Sequence, residues 1–193
     1  MTPHQRFYQV ILIAGLIGFS WPMMMLVHEC GHMLGALGTG GHIQQLVWYP
    51  IVFSRTDVRP NPSPLVVVCA GPAFGALAPA AVALALAPAR WSCLYILNFF
   101  AGFCLLSNGV YIGIGTFGHV GDAGDMLRLG MAPWVMFAFG LLTTISGLWL
   151  LNSVSQRLGF GRYPATIVPG HAWATLALTT LVYLIGYVIG NPG

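Results

Sequence analysis

Charged side chains are scarce in this sequence of 193 residues. Asp, Glu, Lys and Arg together make up 6% of it, whereas a soluble domain carries about 25%. Lysine is absent, and the single glutamate lies at position 29. Hydrophobic residues account for 57%, so we exclude a soluble domain and expect an integral membrane protein. The net charge of +3 comes from scattered arginines and does not indicate nucleic-acid binding.

Cysteine motifs are also lacking. The four cysteines show no C-x-x-C spacing, and all fall in or beside apolar segments: Cys30, Cys69, Cys93 and Cys104. This pattern indicates neither a disulfide framework nor a thiolate zinc site, and we expect these residues to pack in the core. The sequence contains no internal repeat or low-complexity tail, so we interpret residues 1–193 as one membrane domain.

Long apolar segments make up most of the chain. Four predicted spans cover residues 64–88, 93–115, 132–152 and 165–190. A further apolar stretch at 8–38 would measure about 46 Å as one helix, against a hydrocarbon core of about 30 Å. Two interpretations are open for it. Either helices over 7–19 and 21–38 are separated at Ser20-Trp21-Pro22, or one long helix is kinked there.

Residues 42–58 have a different composition. The runs 43–49 and 51–53 are rich in β-branched and aromatic residues, with Pro50 between them. This pattern favours a short β-hairpin over a helix. The predicted fold is therefore an all-α polytopic membrane protein of about five or six transmembrane helices, with this hairpin after the first apolar stretch. Arginine counts of four and three at the two membrane faces leave the orientation open.

The pattern that points to chemistry is His28-Glu29-Cys30-Gly31-His32, an H-E-x-x-H motif inside the apolar stretch. On a helix at about 100° per residue, the two histidines lie about 40° apart, so both imidazoles can hold one metal ion. Glu29 projects about 60° further round, where it can take a proton from metal-bound water. The alternative is two hydrogen-bonded core histidines beside a buried, protonated glutamate. Ionisable residues at membrane depth cost roughly 2.5–3.5 kcal/mol on insertion scales, which favours a metal site.

A catalytic zinc needs a third protein ligand, and the sequence offers few candidates. Asp122 and Asp125 lie between two predicted spans, and on a helix they would project about 60° apart. They also fit the N-cap and N3 positions of a helix that continues through Arg128. His119, three residues before Asp122, is a rival ligand, and His171 is a more distant one. The residues alone leave this choice open.

Three segments together resemble the site-2 protease family of intramembrane zinc metalloproteases, in its compact form without PDZ or CBS domains. In chain order they are HECGH at 28–32, CAGPAF at 69–74 and DAGDML at 122–127. The resemblance covers residues 20–130. The predicted hairpin also matches the strand region that the family has between its first two segments.

The resemblance implies a zinc ion with three protein ligands, namely His28, His32 and Asp122, with Asp125 as the alternative third ligand. It further implies that Glu29 activates a zinc-bound water to attack a peptide bond. Asn108 would contact the substrate. That substrate would be a membrane-embedded protein held in the lipid bilayer, and no nucleic-acid partner or particular oligomeric state is implied.

We therefore predict a zinc metalloendopeptidase in a cell membrane. The hairpin edge can pair with an unwound substrate segment by strand addition, and polar side chains of the span 93–115 can admit water. Two other classes are weighed against this prediction: a catalytically silent scaffold that binds membrane proteins and, less favoured, a metal transporter. A scaffold has no need of the intact Glu29. A transporter would have further polar sites along a path, whereas the polar residues here converge on one point.

Overall fold

The computed structural model describes residues 1–190. Within them lie six α-helices and one strand pair, in the order α1 (Pro3–Gly38), β1 (Ile43–Tyr49), β2 (Val52–Val58), α2 (Pro64–Leu86), α3 (Leu94–Gly118), α4 (Gly121–Arg128), α5 (Pro133–Val154) and α6 (Pro169–Ile189). All of these helices except α4 are long and apolar enough to cross a membrane, which makes five spans. The strands pair antiparallel between α1 and α2. The predicted fold class is thus confirmed.

The first helix, α1, is continuous over 36 residues and contains Pro22. Of the two interpretations left open, the one with two separate helices is therefore wrong, and the motif-bearing segment 21–38 is the second half of one long helix. Ser20 is fully buried inside the helix and caps nothing. Proline removes one main-chain hydrogen bond, but α1 packs on α6 before this point and on α2 after it. Because tertiary contacts continue on both sides, the helix persists through the proline.

The other long helices begin and end near the predicted bounds. The last helix starts at Pro169 rather than at residue 165. Val168 has an extended backbone with ψ 115°, as the residue before a proline prefers. Helix α3 runs to Gly118, three residues beyond the predicted end at 115.

Helices α3 and α5 pack closely through small residues. A side chain on Gly140 would come within 2.7 Å of the Cα of Gly113, so the two backbones are in direct contact. Another face of α3 packs against α1, where Cys104 lies with Met24 and Met25. All four cysteines are free. Helix α3 thus joins the motif-bearing half of α1 to the rest of the bundle.

The hairpin folds back along α1 rather than extending away from the bundle. At its start, the N–H of Gly41 donates to the carbonyl of Ala36, near the end of α1. At its turn, the indole of Trp48 donates to the carbonyl of Pro22 over 3.0 Å. Those two residues of α1 are about 21 Å apart along the helix axis. The strands therefore lie beside the second half of α1, with their turn at the middle of the helix.

The chain order places the hairpin and α4 at one end of the bundle, which we call the hairpin end. The other end carries the loops after α2 and α5 and the start of α1. All three aspartates, Asp57, Asp122 and Asp125, lie at or near the hairpin end. The candidate metal centre is also near this end, since its histidines lie in the last third of α1.

Candidate metal centre

The side chains of His28 and His32 meet one helical turn apart on the buried face of α1. Their Nε2 atoms are 3.0 Å from each other. The carboxylate of Asp122, on α4, brings its Oδ2 atom to 2.8 Å from Nε2 of His28 and to 3.4 Å from Nε2 of His32. Both histidines are less than one-tenth exposed. Three potential ligand atoms therefore converge on one point inside the bundle.

The other nitrogen of each imidazole is fixed by a hydrogen bond. Nδ1 of His28 donates to Oδ1 of Asn108 over 2.7 Å, and the amide nitrogen of Asn108 donates to the carbonyl of Cys104. Nδ1 of His32 donates to the carbonyl of Val67 over 2.8 Å. In its neutral form, each imidazole then carries its only N–H at Nδ1 and presents a lone pair at Nε2. This arrangement orients both rings as metal ligands require.

The donor set fits a zinc ion. Two Nε2 lone pairs and a carboxylate oxygen face one another, and they repel unless a proton or a cation lies among them. The ligand atoms of a tetrahedral zinc lie roughly 3.3–3.6 Å apart. The observed separations of 2.8, 3.0 and 3.4 Å approach that range. Small outward shifts of the three side chains would complete the match.

The carboxyl of Asp122 is held in its charged form. Its burial opposes ionisation, but when His28 and His32 carry a proton at Nε2, their hydrogen bonds and positive charge outweigh this effect. The pKa of Asp122 is therefore well below its ordinary value. A carboxylate that stays ionised at neutral pH is available to a cation.

Asp122 is positioned by the start of α4 and by Tyr111. The main-chain N–H of Asp122 donates to the phenol oxygen of Tyr111 over 2.9 Å. Gly121 has a φ of +55°, and a side chain there would overlap that same phenol. The N-cap of α4 is Val120, and no side chain caps this helix. Asp122 therefore faces the histidine pair instead of serving as the cap that the alternative interpretation gave it.

The alternative ligands lie elsewhere. Asp125 is about half exposed and accepts a hydrogen bond from Arg128 one turn later, at the rim of the site. His119 is exposed at the C-terminus of α3, where its backbone is left-handed with φ 52°. His171 lies on α6 against Tyr95, at the other end of the bundle. Of the candidates for a third ligand, the structure brings Asp122 to the histidines.

Glu29 lies next to the histidines, but its carboxylate is hydrogen-bonded to hydroxyl groups of the hairpin. It is 2% exposed, and two hydroxyls of β2 donate to its two oxygens: Ser54 to Oε1 over 2.7 Å and Thr56 to Oε2 over 2.6 Å. Its carboxylate also comes within 4.8 Å of ligand atoms of the two histidines. Asp122 approaches the two Nε2 atoms more closely, and no hydroxyl within residues 1–190 donates to its carboxylate, so we favour Asp122 as the third ligand. Glu29 is then a separate carboxylate beside the metal position.

Asn108 lies behind His28. It is 1% exposed and accepts a hydrogen bond from Nδ1–H of His28. Its expected contact with substrate stays a prediction. The roles of Ser54, Thr56 and Tyr111 were not foreseen from the sequence. One signal for the first two was present: hydroxyl residues two positions apart project from the same face of a strand.

The segment CAGPAF packs α2 against the motif. A side chain on Gly71 would overlap the imidazole of His32, and one on Gly31 would overlap the carbonyl of Ala70. The two helices can approach this closely because both positions are glycine. The close approach also brings the carbonyl of Val67 to His32.

A cleft of about 640 Å³ opens from the metal centre toward the hairpin end. Its inner end is formed by His28, Glu29 and His32, and one wall is the segment from Ser54 to Arg59, which belongs to β2 up to Val58. The opposite wall comes from α4 and the first turn of α2. Polar solutes and water can therefore reach a site that lies between membrane-spanning helices.

Comparison with protein-family models, curated proteins and solved structures gives no match for this chain. Together, the fold and the site define an integral membrane protein with a His-Glu-x-x-His cluster inside its helical bundle.

Proposed function

We propose that this protein is a zinc-dependent intramembrane endopeptidase of the site-2 protease type, which cleaves membrane-embedded proteins in a cell membrane. One observation carries the proposal. Two oriented Nε2 lone pairs and the Asp122 carboxylate converge, while a second carboxylate, Glu29, lies beside them with its oxygens held by hydroxyls. A metal site with a separate base is the arrangement that metal-assisted hydrolysis requires.

Zinc would be held by His28, His32 and Asp122. When bound, it would supply Lewis-acid chemistry that lowers the pKa of water toward about 7 and polarises a carbonyl group. Asn108 and the carbonyl of Val67 would keep the two imidazoles in the tautomer that leaves Nε2 free. Tyr111 would keep Asp122 in place through the main-chain N–H.

Glu29 would act as the general base. Each of its oxygens accepts one hydroxyl hydrogen and keeps a further lone pair. One oxygen can therefore take the proton of the attacking water and later return it to the leaving amide nitrogen. The carboxylate is not needed as a ligand, since Asp122 supplies the third one.

The substrate would bind as an extended segment along β2. One edge of β2 pairs with β1, and the strand forms a wall of the cleft. At membrane depth, main-chain polar groups need a partner or water, so an unpaired strand edge favours the addition of another strand. A helical substrate hides its peptide bonds in its own hydrogen bonds. An unwound membrane segment would present them to the metal centre.

The test uses purified protein in lipid vesicles with a single-span probe whose membrane segment contains a helix-breaking Asn-Pro-Gly stretch. We expect zinc-dependent cleavage within that stretch. Glu29→Gln should keep the bound zinc and lower the rate about 10²–10⁴-fold, the usual contribution of a general base. Zinc binding without Glu29-dependent cleavage would contradict the protease proposal and favour a transporter. A protein that neither binds zinc nor cleaves would favour the silent scaffold.

A further inference from the structure

The second strand of the hairpin contacts the candidate base directly. Ser54 and Thr56 are two positions apart on β2, so their side chains project from the same face of the strand. Their hydroxyls donate to different oxygens of Glu29, at 2.7 and 2.6 Å. One face of the strand thus holds both oxygens of one carboxylate.

These two hydroxyls are the hydrogen-bond donors to Glu29 within residues 1–190, and no cationic side chain there forms a salt bridge with it. A carboxylate that is 2% exposed needs donors to offset the loss of water. The hydroxyls of Ser54 and Thr56 are these donors. Together they hold the carboxylate in a fixed orientation.

The register of β2 decides which side chains meet Glu29. The neighbouring residues Phe53 and Arg55 project from the opposite face and are exposed. A shift of one residue along the strand would replace the hydroxyls by these side chains, because strand side chains alternate between faces. The position of β2 and the orientation of Glu29 are therefore coupled.

We infer that Ser54 and Thr56 are positioning residues that orient the Glu29 carboxylate, so that the strand expected to bind substrate also aligns the base. This inference rests on the proposed function. Pairing of a substrate segment with β2 would hold the strand in register and thereby hold Glu29 in place. Substrate binding and base alignment would then occur together.

The test compares Ser54→Ala, Thr56→Val and the double variant in the vesicle cleavage assay with the single-span probe. Each single change should lower kcat about tenfold, as expected for loss of a hydrogen bond to a charged group, and the double change about 100-fold. KM should stay within about threefold and the zinc content at about one per chain, since neither residue is a ligand. Thr56→Ser keeps a hydroxyl and should retain near wild-type kcat.

Matched controls are Ser153→Ala and Thr180→Val. Both residues are exposed, and their hydroxyls donate only to carbonyls of their own helices. They should leave kcat, KM and zinc content unchanged. Loss of kcat in these controls would show that any lost hydroxyl has the same effect, which would contradict a specific role at Glu29.

A second readout does not depend on cleavage. In the zinc-loaded protein, the double variant and Glu29→Ala should each increase hydrogen exchange of the amides in residues 43–58. Combining all three changes should add little further increase, since they remove the same contact. Unchanged exchange in both would show that the contact does not anchor the hairpin.

Three results would overturn the positioning role: a double variant with wild-type kcat, a rise in KM at constant kcat, or loss of zinc. The second would make the residues part of the substrate edge, and the third would make them part of the fold. Failure of the wild type to cleave the probe would instead contradict the proposed function itself.

Discussion

At each end of the bundle, histidine side chains contact another polar side chain. The two ends differ in whether hydrogen-bond donors and acceptors are matched. At one end, the phenol of Tyr95 lies 3.1 Å from Nδ1 of His171. A phenol can donate or accept, so either tautomer of that histidine is satisfied. At the hairpin end, both Nδ1 atoms are already used, and two Nε2 atoms face the carboxylate of Asp122.

The comparison shows what distinguishes a candidate metal centre from a structural histidine in this bundle. A buried or half-buried histidine ring with a polar neighbour is common to both ends. Only the hairpin end brings together three atoms that all offer lone pairs, within the part of the chain that the structure describes. Convergence of acceptors without donors calls for a cation or for protons on the imidazoles.

The largest effect that separates the two ends is expected from Asn108→Leu. This change removes the acceptor for Nδ1–H of His28, while the new side chain has a similar volume. Zinc affinity should fall about 10–100-fold, the usual cost of losing a hydrogen bond to a metal-ligating histidine. Competition with a chromophoric chelator measures it. Tyr95→Phe removes the matching partner of His171 and should leave zinc affinity unchanged. Equal losses in both variants would contradict the distinction.

A smaller effect is expected from adding one methyl group at a helix contact in each half of α1. In Gly71→Ala the methyl would overlap the ring of His32, and in Gly15→Ala it would come within 2.7 Å of the Thr175 hydroxyl. Each change should lower the free energy of unfolding by about 1–3 kcal/mol through overpacking. Only Gly71→Ala should also weaken zinc binding. Unfolding in detergent and zinc affinity, measured on both variants, check this. Weakened zinc binding in Gly15→Ala would show that any loss of packing disturbs the site.

The smallest effect is expected from Asp125→Asn. Asp125 pairs with Arg128 at the rim, and both side chains are about half exposed or more. An exposed pair of this kind contributes about 0–1 kcal/mol to stability. Thermal unfolding and zinc content should therefore remain close to those of the wild type. A loss of zinc would move the third ligand from Asp122 to Asp125.

Much of the architecture follows from local sequence properties. Apolar length predicts the spans, and the change to β-branched and aromatic residues after Gly41 predicts the hairpin. The continuity of α1 does not follow from them. Proline at position 22 indicates a possible break, but contacts with α6 and α2 on either side of it keep the helix intact.

Only part of the site could be predicted, because only part of it depends on local sequence. The helical spacing of His28, Glu29 and His32 is a local property, so the sequence alone places them together. The choice between Asp122 and Asp125 depends on Tyr111, which lies on another helix and fixes where α4 begins. Ser54 and Thr56 meet Glu29 only because the hairpin folds back along α1. Such contacts between distant segments depend on packing, which residue spacing does not encode.

The most direct test of the proposed metal centre is the zinc content of the purified protein and of its His28→Ala and Asp122→Ala variants. We expect about one zinc per chain in the wild type and loss of that zinc in both variants, since each removes one of three ligands. Wild-type protein that holds no zinc after reconstitution would contradict this metal centre, as would undiminished zinc in Asp122→Ala.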